Sequence, residues 1–390
     1  MRTKAKCWTI LFLVCLLNGC SSAADRAPTV TPAAPSKVPA TAASTVPPTL
    51  APTALPTPSP IPPTPSPTAG PTRLRPTAVP TAKKLLEWAD LGIGRGPVYS
   101  QDWAPDGRFL VTADYDLVRV WDSKFSQYGL LEGHTDFVWG LAWSPALPGE
   151  SVPAPILASA SQDGTVRLWD VEALTETATL QTGWAFCQSW APDGSRLVVG
   201  TEAGLVTVWD VATRQLLHTW ESATHLSIIS IAWSPDGSTI ASGESGGEIY
   251  LWDVATGQVR TTITDYTTER CDVNGLDWSP DGSVLASAHQ DGQVRLWDGQ
   301  TGELVRAISA HTGWARGMAW APDGRLLAST GKDKRVNLWD PQTGSKYAWQ
   351  QHNRLPVWSV SWSPDGTHIA SGAGDYGVVH VGATIVWRVP

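Results

Sequence analysis

Two sets of side chains in this 390-residue sequence have the types needed for nucleophilic catalysis. His134, Ser159 and Asp163 form one, and His311, Ser329 and Asp333 the other. A His that takes the proton of a Ser while an Asp orients the ring is the general scheme of acyl transfer. A third candidate, Gly243-Glu244-Ser245-Gly246-Gly247, matches the G-x-S-x-G pattern of a strained nucleophile turn. Such a turn must lead from a strand into a helix, whereas Ile249-Tyr250-Leu251-Trp252 reads as another strand, so Ser245 belongs to a hairpin turn. There is no HExxH, Walker loop, CxxC pair or calcium-loop carboxylate array. The expectation is a protein without enzymatic activity, metal or cofactor.

The elements that must position these residues are repeats. Trp-(Ser/Ala)-Pro-Asp-Gly begins at Trp103, Trp190, Trp233, Trp278, Trp320 and Trp362, with a variant at Trp143, at intervals of 40 to 47 residues. A second marker follows each: Trp-Asp at 121, 169, 209, 252, 297 and 339, then Trp387-Arg388. Within one repeat, Val284–Ala288 and Gln293–Trp297 are short strand-like runs joined by Gln290-Asp291-Gly292, a tight hairpin turn. Pro280-Asp281-Gly282 turns the preceding hairpin, and Gly302–Arg306 supplies an outer strand.

This pattern resembles the WD40 repeat and runs over 83–390 without a gap. The resemblance implies an all-β fold, a seven-bladed WD40 β-propeller preceded by a disordered Pro/Thr-rich linker. Four antiparallel strands make a blade, and a blade buries both faces only between two neighbours in a ring. The last repeat stops after its third strand, at Trp387-Arg388-Val389-Pro390. Lys84-Leu85-Leu86-Glu87-Trp88 matches Gly129–Gly133, the outer strand before the second repeat, so Leu85–Trp88 is expected to complete the seventh blade. In the family a His, a Ser or Thr, an Asp and a Trp form a buried hydrogen-bonded chain. The resemblance gives that structural role to His134, Ser159, Asp163 and Trp169, and to His311, Ser329, Asp333 and Trp339. The third repeat has no His ahead of Phe186 and turns at Glu202-Ala203-Gly204, so such blades should lean on apolar packing.

The resemblance also places the start of each innermost strand on the top rim of a central channel, where partners dock. Four residues before each marker Trp stand Tyr99, Trp139, Phe186, Ile229, Asn274, Arg316 and Trp358; two further back are Phe137, Trp184 and Trp314. Aromatic and Arg residues dominate interface hot spots. Tyr99, Phe137, Trp139, Trp184, Phe186, Trp314, Arg316 and Trp358 are therefore the expected partner-binding set, the alternative being that some rings wedge between blades. Two insertions flank this scaffold, Pro145–Pro155 in a bottom-face loop and Gly372–Gly382 in a top-face loop beside the rim. A protein-interaction scaffold is the leading reading. A glycan- or cell-wall-binding propeller is the second, and a hydrolase with a loop-built site the third.

The N-terminus points to export. Arg2, Lys4 and Lys6 precede the apolar stretch Cys7–Leu17, too short for a comfortable membrane span and suited to a signal-peptide core. Leu17-Asn18-Gly19-Cys20 resembles the bacterial lipobox, which implies cleavage after residue 19, lipid on Cys20, and an extracytoplasmic protein tethered to a membrane. An ordinary secretory signal cut nearby is the alternative. Residues 20–82 hold most of the 31 prolines in runs such as TPSPIPPTPSPTAGPT, a composition that stays solvated and leans to polyproline II. Fully extended at about 3.1 Å per residue, residues 27–82 would reach about 170 Å.

With 21 Lys and Arg against 35 Asp and Glu, residues 83–390 carry a formal charge of −14. That charge repels phosphate backbones and anionic lipid, so nucleic acid is not an expected partner and only the lipid should touch the membrane. A monomer is expected. Cys187 and Cys271 fall in the third and fifth repeats; non-adjacent blades rarely bring two Cα atoms within disulfide range, so two free, mostly buried thiols are expected.

Overall fold

The computed structural model describes residues 82–94, 96–146, 155–264, 271–352, 355–375 and 381–390. The signal segment 1–19, Cys20 and the linker to residue 81 lie outside the described residues, as do 147–154 and 376–380 within the two insertions.

Seven sheets account for the domain, and there is no helix among the described residues. The first blade runs outward as Gln101–Trp103, Phe109–Asp114, Leu117–Asp122 and Gln127–Glu132, here called strands a to d. The a strands of the other blades are Val138–Trp143, Ala185–Trp190, Ile228–Trp233, Val273–Trp278, Ala315–Trp320 and Val357–Trp362. Each packs on the a strand of the next blade, and Val357–Trp362 packs on Gln101–Trp103, so the ring is closed and seven-bladed.

Local chemistry explains the repeat. In the a–b turn, Asp281 accepts the backbone N–H of Ser283 at 3.0 Å while Gly282 takes φ +70°, a left-handed conformation that glycine adopts without strain. The b and c strands are apolar and almost wholly buried, as in Leu285, Ala286, Val294 and Leu296. Their clusters straddle blades: Val111 and Val118 of the first pack with Leu141, Leu157 and Trp169 of the second. The outer strand expected at Gly302–Arg306 instead spans Leu304–Ser309. The chain is still turning at Gly302 (φ +74°), whose N–H bonds the Asp298 carbonyl at 2.9 Å.

The ends meet in the seventh blade. Leu86–Gly94 pairs antiparallel with Val381–Arg388 as the outer strand, longer than the Leu85–Trp88 expected from sequence. Lys83–Lys84 pairs parallel with Lys346–Gln351, the outer strand of the sixth blade. Leu85, 1% exposed, sits between the two pairings in a core shared by both blades.

The described ends of the Gly372–Gly382 insertion, 372–375 and 381–382, continue the two middle strands of the seventh blade as a hairpin stem. His368–Asp375 and Val381–Arg388 stay in register to Asp375↔Val381. Gly96–Val98, entering the first blade, presses directly on this stem: a Cβ on Gly382 would lie 2.0 Å from the Gly96 carbonyl oxygen. No disulfide joins Cys187 and Cys271; both residues are partly buried, and the Cys187 Sγ itself is enclosed.

Candidate functional site

The His–Ser–Asp sets form complete hydrogen-bonded chains inside their blades. His134 Nδ1 lies 2.8 Å from Asp163 Oδ2, His134 Nε2 lies 2.7 Å from Ser159 Oγ, and Trp169 Nε1 donates to Ser159 Oγ at 2.8 Å. In the sixth blade His311 stands 2.8 Å from Asp333 and 2.9 Å from Ser329, which accepts from Trp339 at 2.8 Å. Burial raises the Asp163 carboxyl, but the hydrogen bonds from His134 and Thr165 outweigh it and hold the group below the usual carboxylate range. These are the distances of a catalytic triad. Ser159 and Ser329 are nevertheless 0% exposed, and each Oγ is already an acceptor for an indole, so neither can reach a substrate.

The indole bond recurs in every blade, and in six of them the indole donates to a hydroxyl two residues after the first buried Leu or Ile of strand b: Thr112, Ser242, Ser287 and Ser371 besides Ser159 and Ser329. In the third blade that position is Val199, and Thr207, opposite it on strand c, serves Trp209 at 3.0 Å. Two histidines missed in the sequence also belong here. His289 bonds Ser287 at 2.7 Å from within its own strand, and His352, 0% exposed, faces the Ser371 carbonyl at 3.3 Å.

One residue before the marker Trp, a second tie links neighbouring blades. Asp102 accepts the N–H of Trp143 at 2.9 Å, Ser189 that of Trp233 at 3.1 Å, and Asp277 that of Trp320 at 2.7 Å. Burial pushes the Asp102 and Asp277 carboxyls up to about 7 despite these bonds.

The top rim is the remaining candidate, and its rings touch in sequence across four blades. Trp184 meets Phe186 at 5.7 Å, Phe186 meets Trp139 at 5.6 Å, and Trp139 stacks on Tyr99 at 4.3 Å. Tyr99 meets Trp358 edge-on at 5.0 Å, across the seam where the ring closes. Arg316 carries the line on, its guanidinium 3.1 Å from the Trp358 ring centroid and 5.2 Å from that of Trp314. Trp139, Trp184, Phe186, Trp314 and Trp358 are half-buried. Tyr99 and Phe137, expected to face a partner, are buried at 7% and 8% exposure and wedge beneath the others. Ile229 and Asn274 extend no ring, and Asn274 is tied to the Ala315 carbonyl at 2.8 Å.

Three rim residues escaped the sequence reading. Gln162 accepts from Trp139 Nε1 at 3.3 Å, and Lys332 lies 4.7 Å over Trp314. Tyr115 packs on Phe137 at 4.4 Å while holding φ +61°, a strained conformation for an aromatic residue. All three lie on b–c hairpins rather than at the starts of innermost strands; in Tyr115 the signal was a hairpin turn without glycine. Among the described residues, no group of three or more His, Cys, Asp or Glu is placed to hold a metal ion.

Comparisons with known proteins agree with this architecture. The model of the WD domain, G-beta repeat, matches residues 91–122, 125–170, 302–340 and 345–381. Those of the Vps8 beta-propeller and of the anaphase-promoting complex subunit 4 WD40 domain match 193–278 and 265–315. Protein transport protein sec13 of Aspergillus oryzae is 37% identical over 112 residues, 26% of this chain and 37% of that protein. Protein CIA1 of Arabidopsis thaliana is 36% identical over 86 residues, 20% and 24% of the two chains. Coronin-7 of Rattus norvegicus is 31% identical over 150 residues, 35% and 14%. The matched segments thus span about a third or less of these relatives.

Proposed function

The described domain is a WD40-type β-propeller carrying WD40 repeats, a class that typically serves as protein-interaction scaffolds, and we propose that this one receives a protein partner on its top rim without catalysing a reaction. One observation carries the reading: the unbroken line from Trp184 to Trp314, with five half-buried rings at the channel mouth. Large, rigid, partly exposed rings supply contact area with little loss of side-chain freedom, as at interface hot spots. The strained Tyr115 beside them supports it, since strain of roughly 1 kcal/mol or more is retained where surroundings or function demand it.

The basic residues 2–6, the apolar run Cys7–Leu17 and the lipobox-like Leu17–Cys20 support lipid attachment at Cys20 and an extracytoplasmic location. The Pro/Thr-rich stretch up to residue 82 would then hold the propeller away from the membrane.

A crosslinking pull-down that compares the wild type with Trp139→Ala/Trp184→Ala/Phe186→Ala tests the rim. A defined protein recovered only with the wild type supports it. Equal recovery refutes it, and recovery of polysaccharide in place of protein selects the glycan-binding reading.

A further inference from the structure

Arg316 is a buried cation without a counter-ion among the described residues. It is 8% exposed, and its Nε has no hydrogen-bond partner. Among the described residues no carboxylate pairs with it, although acidic side chains outnumber basic ones in residues 83–390 by 35 to 21. Removing a guanidinium from water without pairing it is strongly unfavourable. Elsewhere in this domain the cost is met locally. Arg295, 4% exposed along its side chain, is 2.7 Å from Asp291, and Arg119 is 2.6 Å from Asp114. Among the described residues Arg316 meets the ring faces of Trp358 and Trp314, which accept no hydrogen bond from its edge and leave Nε unpartnered. Burial lowers its pKa to about 9, with Tyr99 opposing, so the group is still charged at neutral pH.

We propose that Arg316, clamped between Trp314 and Trp358 at the channel mouth, receives one side-chain carboxylate, Asp or Glu, from the protein partner that docks on the rim. The inference rests on the top-rim reading above. A planar guanidinium matches a carboxylate in a two-bond geometry, and the flanking rings position it. A single Arg fits a single negative charge. Sites for phosphorylated residues gather several cations around one group, whereas Lys332, the other cation on these rings among the described residues, sits over Trp314 at 4.7 Å. The net charge of −14 also disfavours a dianion more than a monoanion.

The test pans a phage library of random decapeptides against the full chain, then measures affinities of the selected peptides by fluorescence anisotropy. The expected peptides carry an Asp or Glu whose change to Asn or Gln lowers affinity at least about tenfold. Arg316→Met should produce a similar loss with an unchanged or raised melting temperature, because it removes an unpaired buried charge. Arg316→Lys keeps the charge without the planar fork, and should bind at an intermediate level. Peptides that need Trp139 and Phe186 but ignore both their own acids and Arg316→Met would overturn the inference and leave the top-rim reading standing. If no selected peptide depends on Trp139 or Phe186, that reading fails as well. Binding at least tenfold tighter after an Asp is replaced by phosphoserine would overturn the carboxylate in favour of phosphate.

Discussion

Glu87 sits in register opposite Trp387, so a residue near the start of the domain and one near its end share a single β-ladder. The ring is therefore closed by hydrogen bonds rather than by a covalent link, and Leu85 is pinned inside that closure. Leu85→Ala should destabilise the domain by about 2–5 kcal/mol, the usual cost of a buried Leu truncation. Deletion of residues 83–94 should cost more and lower the single calorimetric transition of the whole domain. A transition unchanged by the deletion would mean that the ring does not depend on this strand.

Ser159→Ala removes the acceptor of the Trp169 indole and the partner of His134 together. Two buried polar groups are then left unsatisfied, at about 1–3 kcal/mol each. Chemical denaturation should register a loss of about 2–6 kcal/mol, and Ser329→Ala should behave alike. Because both hydroxyls are enclosed, diisopropyl fluorophosphate should leave Ser159 and Ser329 unlabelled in the native protein. Labelling of either, read by peptide mass, would revive the enzymatic reading.

Asp102 and Asp277 make stability depend on pH. Their folded pKa of about 7 stands above the ordinary carboxyl value, so the folded state binds protons that the unfolded chain releases. Their contribution is fully present below about pH 4 and lost as pH rises through 7. His352 works in the opposite direction, since burial lowers it to about 4 and acid favours the unfolded chain. Comparison with Asp102→Ser/Asp277→Ser isolates the carboxylates, because Ser189 shows that a hydroxyl can hold the same inter-blade bond. The variant should melt above the wild type at pH 8, and the gap should narrow or reverse towards pH 4.5. Parallel melting curves across that range would contradict the assignment.

Cys187 should be chemically silent in the native domain. Burial pushes its thiol far above the usual range, and its Sγ faces the Ile228 carbonyl at 3.6 Å. Reaction with Ellman's reagent at pH 8 should wait for unfolding, at a rate that follows global opening. Rapid modification of the folded protein would place the thiol in solvent.

The features legible in the sequence were those encoded within one repeat. A Pro-Asp-Gly turn, a hydroxyl in strand b and a Trp in strand c interact with neighbours a few residues to about thirty away, so their spacing reveals the blade. The counterpart of the outer strand at Leu86 was readable too, because the last repeat lacks one. By itself, then, the sequence determined the repeat, its seven copies and the joining of the ends; the pairing of His134 with Ser159 and of His311 with Ser329 came from the resemblance to the WD40 repeat. Contacts between blades were decided only by the tertiary structure. Tyr99 is buried because Trp139 comes from the next blade and Trp358 from the last, and no local pattern records that convergence. Asp102 and Asp277 became titratable near neutrality through burial in the closed ring. Arg316 lost its solvent, and gained no counter-ion among the described residues, only where the strands of separate blades came together. Ring closure sets which side chains share one water-excluded space, and spacing along the chain carries no measure of that.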